Sequence, residues 1–186
     1  QGLAERVAAE GVNSPADVLM TVDYGSLIDL VDRGLTQAIQ SDVLNTAIPE
    51  NLRDPGGHWY ALSIRARVIY VSTDRVPDGV LTYEDLADPR WAGRVCSRSG
   101  QHLYNTSLFA AYLAKHGPEE TEAYLRSLKG NLARPAAGGD RDGARDIFAG
   151  ICDVAIGNSY YVGLMRSGAG GQLQRDWGQA IRVILP

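Results

Sequence analysis

Histidine, cysteine, phenylalanine and methionine are scarce: three, two, two and two residues among 186. Cys96 and Cys152 lie far apart with no CxxC, which excludes a zinc knuckle or a thioredoxin-type motif. His58, His102 and His116 have no ligand-type spacing and read as surface residues. Also missing are a GxSxG elbow, a GxxxxGK[ST] phosphate loop, an HExxH helix and a GxGxxG opening a helix after a strand, so the common catalytic templates fail. No apolar run approaches the roughly 20 residues of a membrane span, so membrane insertion is not expected. Nor is there a basic excess. Eighteen Lys and Arg face 22 Asp and Glu, a net charge of −4, and the scattered basic residues form no stripe for a phosphate backbone, which argues against nucleic acid. There is no repeat or low-complexity segment. Gln1 rather than Met opens the sequence, which reads as a processed or trimmed chain whose targeting information is absent.

What is present is ordinary for a globular protein, with 45% hydrophobic and 22% charged residues. The length suffices for one substantial domain. Apolar spacing predicts helices over 2–10, 26–33 (Ser26 as N-cap), 106–115, 119–129 and 142–148. Short apolar or β-branched runs predict strands over 16–22, 59–72, 95–97, 154–156 and 181–185. Residues 47–57 and 168–171 read as loops. Strands alternating with helices imply an α/β fold with a largely parallel sheet.

Three features carry chemistry. Arg65 and Arg67 share one side of an otherwise apolar strand, either as a solvated or ion-paired face or as an anion site, since a guanidinium fork suits carboxylate, carbonate or phosphate. Cys96 and Cys152 are either small buried hydrophobes or partners in one disulfide, which requires an oxidising compartment. The third is Asn158-Ser159-Tyr160-Tyr161. Adjacent tyrosines point to opposite faces of a strand, but at a strand-to-helix turn capped by Asn158 or Ser159 they can converge. Ligands bind in such turns at the carboxyl ends of open α/β sheets. The alternative is one packed and one exposed ring.

The segments Ser14-Pro15-Ala16-Asp17-Val18-Leu19-Met20-Thr21-Val22-Asp23, Arg65-Ala66-Arg67-Val68-Ile69-Tyr70, Leu103-Tyr104-Asn105-Thr106-Ser107-Leu108 and Asn158-Ser159-Tyr160-Tyr161 stand in the order and spacing of ferric-iron-binding proteins of bacterial ABC importers. Over nearly its whole length the chain resembles this family. The resemblance implies a two-lobed periplasmic-binding-protein fold of type II, one lobe nearly whole and the other partial. Residues 1–67 and 176–186 would belong to the N-terminal lobe and 68–175 to the C-terminal lobe, with hinge strands at 59–72 and 181–185. It further implies Fe³⁺ held by the phenolates of Tyr104, Tyr160 and Tyr161, and a synergistic anion such as carbonate on Arg65, with Arg67 as second candidate. Asn158, Asp140 and Asn105 would support the ligands, and Cys96–Cys152 would form a disulfide. The carrier would be a periplasmic or lipid-anchored monomer that delivers iron to an inner-membrane permease, without catalysis. Hard Fe³⁺ suits anionic oxygen, and a bound trivalent ion expels the phenolic proton that a pKa near 10 otherwise retains.

The sequence departs from the family pattern in places. Val22 stands where some members have Glu, a strand carrying a further ligand would precede Gln1, Tyr24 reads as a cleft-wall residue, and Gly139 replaces a common Asn. Two other readings are an anion-binding protein using Arg65 and Arg67, and a hydrolase using Ser99 with His102, for which no acid completes a triad.

Overall fold

The computed structural model describes residues 2–79 and 81–186; Gln1, on which the reading of a processed chain rests, lies outside them. The chain divides into two compact units, Gln1–Ile64 and Arg65–Pro186.

The first unit is helical. Helix α1 (Leu3–Glu10) carries an Arg6–Glu10 pair one turn apart at 2.8 Å. Helix α2 (Tyr24–Asp32) is capped by Asp23, which accepts from the Ser26 amide at 2.9 Å and from Ser26 Oγ at 3.0 Å. The cap is thus Asp23 and not Ser26, because the aspartate lies just outside the first turn with its carboxylate over the free amides. Helix α3 (Asp42–Ala47), unforeseen in the sequence, is capped by Ser41. The strand expected over 16–22 does not form. Val18 is 80% and Met20 67% exposed, and no neighbouring strand ladders onto them among the described residues. An apolar run becomes a strand only where a partner takes its backbone groups.

The second unit is built on a four-stranded sheet of β1 (Arg67–Ser72), β2 (Val95–Cys96), β3 (Val154–Asn158) and β4 (Ile181–Ile184), in the order β2-β3-β1-β4. β1 runs antiparallel to both β3 and β4, while only β2 and β3 are parallel, so the sheet is mixed and not largely parallel. The expectation fails because β1 returns between two later strands. Only Arg67–Ser72 of the run expected over 59–72 is laddered; Tyr60 makes an isolated bridge to Arg53, and Leu62 and Ile64 stay exposed. β4 pairs with β1, so the C-terminal strand belongs to the sheet of the second unit.

Both sheet faces are covered, which explains why residues 68–71 of β1 and 154–156 of β3 are continuous apolar runs and buried. Ile69, Val71, Val154 and Ile156 face a core completed by Tyr112 of α4 (Leu103–His116) and by Tyr124 and Leu128 of α5 (Pro118–Gly130). Val68, Tyr70 and Ala155 face the opposite core, with Ala144 and Ile147 of α6 (Asp140–Phe148) and Val162 and Met165 of α7 (Ser159–Ser167). Helix α8 (Gln172–Gln179) follows the predicted glycine loop. Cys96 and Cys152 form a disulfide inside this second core, with Cα atoms 5.9 Å apart.

Candidate metal centre

Antiparallel pairing of β1 and β3 sets Arg67, the first residue of β1, opposite Asn158, the last of β3. At that rung the chain leaves the sheet, and Asn158, in extended conformation, becomes the N-cap of α7. Tyr160 and Tyr161 therefore occupy the first turn, with ring centroids 4.3 Å apart. Close approach of β1 is possible because position 157 is glycine: a Cβ there would stand 2.4 Å from the Tyr70 ring. The Tyr70 hydroxyl donates to the Asn158 carbonyl at 2.5 Å, pinning the turn from inside.

The third phenol comes from another element. Tyr104 lies in the first turn of α4, which is capped by an imidazole, His102 Nδ1 accepting the Tyr104 amide at 3.2 Å. This brings the Tyr104 and Tyr160 hydroxyls to 3.4 Å. Asn158 Nδ2 donates to the Tyr160 hydroxyl at 3.5 Å.

Beneath the phenols lies a polar network. The Asp140 carboxylate, fully buried, accepts from Arg67 Nη1 at 2.7 Å, from Arg98 Nη1 at 3.1 Å and from the Asn158 amide at 2.8 Å. Arg67 also donates to Asn105 Oδ1 at 2.6 Å and Asn158 Oδ1 at 3.1 Å. Asn105, itself buried, donates to Ser97 Oγ and to the Arg98 carbonyl, each at 3.0 Å. One buried carboxylate thus ties together α6, β1, the end of β3 and the segment after β2.

Mutual hydrogen bonding splits the acidities of the phenols. Burial pushes Tyr160 up, but hydrogen bonds from Tyr104, Tyr161 and Asn158 outweigh it and hold this phenol below its ordinary value. The bond to Tyr160 pushes Tyr104 up, with burial adding to it. The same two causes, in the same order, push Tyr161 up to about 12. Tyr160 is the oxygen on which the other donors converge.

The second unit thus brings Tyr104, Tyr160, Tyr161, Asn105, Asp140, Asn158 and Arg67 together. Arg67 is bonded within the network, whereas Arg65 is exposed and acts on Tyr104 through its charge. Tyr24 belongs to the first unit, its ring 6.2 Å from Trp59. Ser99 Oγ accepts the Gln101 amide and His102 Nδ1 the Tyr104 amide, so each of these atoms serves a local turn or helix cap. Arg98 and Tyr70 were given no role in the sequence reading, and His102, read there as a surface residue or the partner of Ser99, caps α4 instead. For Arg98 the available signal was a basic residue directly after a buried strand. No group of three His, Cys, Asp or Glu side chains among the described residues could hold a metal, and the oxygen donors gathered at these helix starts are phenols. A hard trivalent cation fits such donors.

Residues 13–152 match the family model described as bacterial extracellular solute-binding protein. The chain is 51% identical over 160 residues to iron uptake protein A2 of Synechocystis sp., covering 86% of this chain and 46% of that protein. Among solved structures, the Bordetella ferric binding protein matches with 59% identity and a TM-score of 0.90, over 99% of this chain and 58% of that one. The Trichodesmium protein IdiA (FutA), solved in complex with iron and citrate ligands, matches with 38% identity and a TM-score of 0.90, over 98% of this chain and 58% of that one. The chain spans about half the length of the curated relatives it matches. The fold is α/β, shared with periplasmic binding proteins of type II over that portion.

Proposed function

The chain belongs to the family of bacterial extracellular solute-binding proteins, and from that membership we propose that it binds Fe³⁺ as cargo through the phenolate oxygens of Tyr104, Tyr160 and Tyr161. The observation that carries this reading is the convergence of phenols from two separate helix starts, with the Tyr104 and Tyr160 hydroxyls 3.4 Å apart and the Tyr161 ring 4.3 Å from that of Tyr160. The relatives described above, named for iron uptake or ferric binding, support the choice of ion.

In this reading Tyr160 loses its proton first, because its environment already favours the anion. Charge on the arriving ion then expels the protons of Tyr104 and Tyr161. Three phenolates neutralise a trivalent charge, and a small anion such as carbonate on Arg65 completes the shell. Asp140, Asn158 and Asn105 keep the phenols in register. Acid reverses the process by protonating the oxygens. In the same reading residues 1–67 with 176–186 form one lobe and residues 68–175 the other, and the loaded, periplasmic monomer delivers iron to the permease of an ABC importer without catalysis.

Colour tests it. Ferric citrate added to the protein carrying this sequence should produce a visible phenolate-to-iron charge-transfer band. Tyr160→Phe and Tyr161→Phe should each abolish or strongly weaken the band and lower affinity by orders of magnitude, with circular dichroism unchanged. A colourless wild type, or unaltered affinity in both variants, refutes the assignment.

A further inference from the structure

Arg98 lies one residue beyond the buried Ser97, at the carboxyl end of the β2 segment, and its side chain is only 12% exposed. Its guanidinium carbon sits 5.0 Å from the centroid of the Tyr104 ring. Two ties hold it there. Nη1 donates to Asp140 Oδ1 at 3.1 Å, and the residue's own carbonyl accepts from Asn105, the neighbour of Tyr104 in α4. Arg98 Nε is buried with no hydrogen-bond partner.

Structural need does not account for this arrangement. Asp140 already has a closer cation in Arg67 at 2.7 Å and an amide donor in Asn158. Arg98 therefore adds a second buried guanidinium to one carboxylate, leaving positive charge in surplus. Desolvating an uncompensated charge is costly unless something negative develops beside it. Beside that surplus lies the face of the Tyr104 ring, which a guanidinium contacts favourably and which attracts it more strongly once the phenol becomes an anion. Arg67 reaches the same ring at 5.8 Å, but three of its hydrogen bonds go to Asp140, Asn105 and Asn158.

We propose that Arg98 is the positioning residue of Tyr104: its guanidinium, oriented by Asp140, clamps the ring face and draws negative charge from the phenolate, making Tyr104 a weaker electron donor to bound cargo. This rests on the phenolate reading above. Lowering the energy of the filled phenolate orbital raises the energy needed to move its electron onto a ferric ion, so the charge-transfer band reports on Arg98 directly.

The test is the visible spectrum of the Fe³⁺-loaded protein in wild type, Arg98→Met, Arg98→Lys, Tyr104→Phe and the Arg98→Met/Tyr104→Phe pair, loaded with ferric citrate. Arg98→Met should move the band to longer wavelength, and Arg98→Lys, which retains a cation without the planar fork, should restore part of the shift. In the Tyr104→Phe background, Arg98→Met should move the remaining band by less than half as much. If Arg98→Met does not fold, Arg98→Lys carries the test alone, with a smaller shift in the same direction expected. A band whose position ignores both Arg98 variants overturns the proposal while leaving the phenolate site intact. A shift of equal size with and without Tyr104 also overturns it, since Arg98 would then act on the other phenols. The absence of any band in wild type is the failure of the phenolate reading itself.

Discussion

Replacing Asp140 by Asn preserves shape and removes one charge, and the consequence can be worked from the network. The carboxylate is fully buried and faces two guanidiniums that are each nearly buried, 11% exposed for Arg67 and 12% for Arg98. An amide in its place retains one acceptor oxygen. That oxygen goes to the Arg67 and Asn158 donors, which share Oδ2 in the native site. The amide nitrogen then points at Arg98, donor against donor. Breaking a buried ion pair by removing one partner costs about 3–5 kcal/mol, and the surviving hydrogen bonds put Asp140→Asn near the lower end, about 3 kcal/mol. At roughly 2–4 °C per kcal/mol for a chain of this size, the midpoint should fall by about 6–12 °C. Thermal melts followed by circular dichroism, paired with urea titrations at constant m-value, measure this. A loss below about 1 kcal/mol would refute the reasoning, since the carboxylate would then not be the electrostatic keystone of the network.

Three further outcomes follow from the geometry. Gly157→Ala drives a methyl into the Tyr70 ring, so overpacking and loss of the buried hydroxyl's bond to Asn158 should together cost about 2–4 kcal/mol; a urea midpoint unchanged from wild type would contradict the close contact. Replacing Cys96 and Cys152 together by Ala opens a link across 56 residues of sequence and should cost about 4 kcal/mol on loop-closure entropy, read as a urea midpoint below that of the oxidised wild type; equal midpoints would show that the link adds nothing. Burial, and after it the charge of Arg98, holds the His102 imidazole below its usual value, so the capped start of α4 contributes stability at pH above about 6.5 that is lost as pH falls through the lowered value. Hydrogen exchange at the Tyr104 and Asn105 amides should accelerate from pH 7.5 to pH 5.5 beyond the intrinsic trend in wild type but not in His102→Asn; identical trends would remove the imidazole cap from the account.

The strand-to-helix turn at Asn158 was legible because the apolar run Val154-Ala155-Ile156 stops at a glycine and a capping residue, so tyrosines at 160 and 161 had to fall in a first helical turn. Their meeting with Tyr104 came from resemblance, as no local pattern reports which helix start packs beside which. Residues 16–22 misled because apolarity signals burial against something, and the described residues provide no strand beside it. The direction of β1 was invisible, because chain order does not reveal that a strand lies between two later ones. Helix α8 escaped notice since its sequence, with three Gln among eight residues after a glycine cluster, resembles loop composition, yet Trp177 packs against the core. Arg98 carried no motif, and its meaning appears only once Asp140, 42 positions away, is seen to accept from it.

The pairing of Arg67 with Asn158 as the outermost rung of two antiparallel strands has an evolutionary corollary. The polypeptide joining β1 to β3 is long, and length changes within its surface turns leave the rung untouched, so that stretch is free to drift. A single residue inserted inside either strand would instead slide the ladder by one step and turn Arg67 or Asn158 to the opposite face of the sheet. Insertions and deletions in descendants of this sequence should therefore gather in the turns and spare the ten or so sheet positions whose alignment holds the tyrosine turn in place.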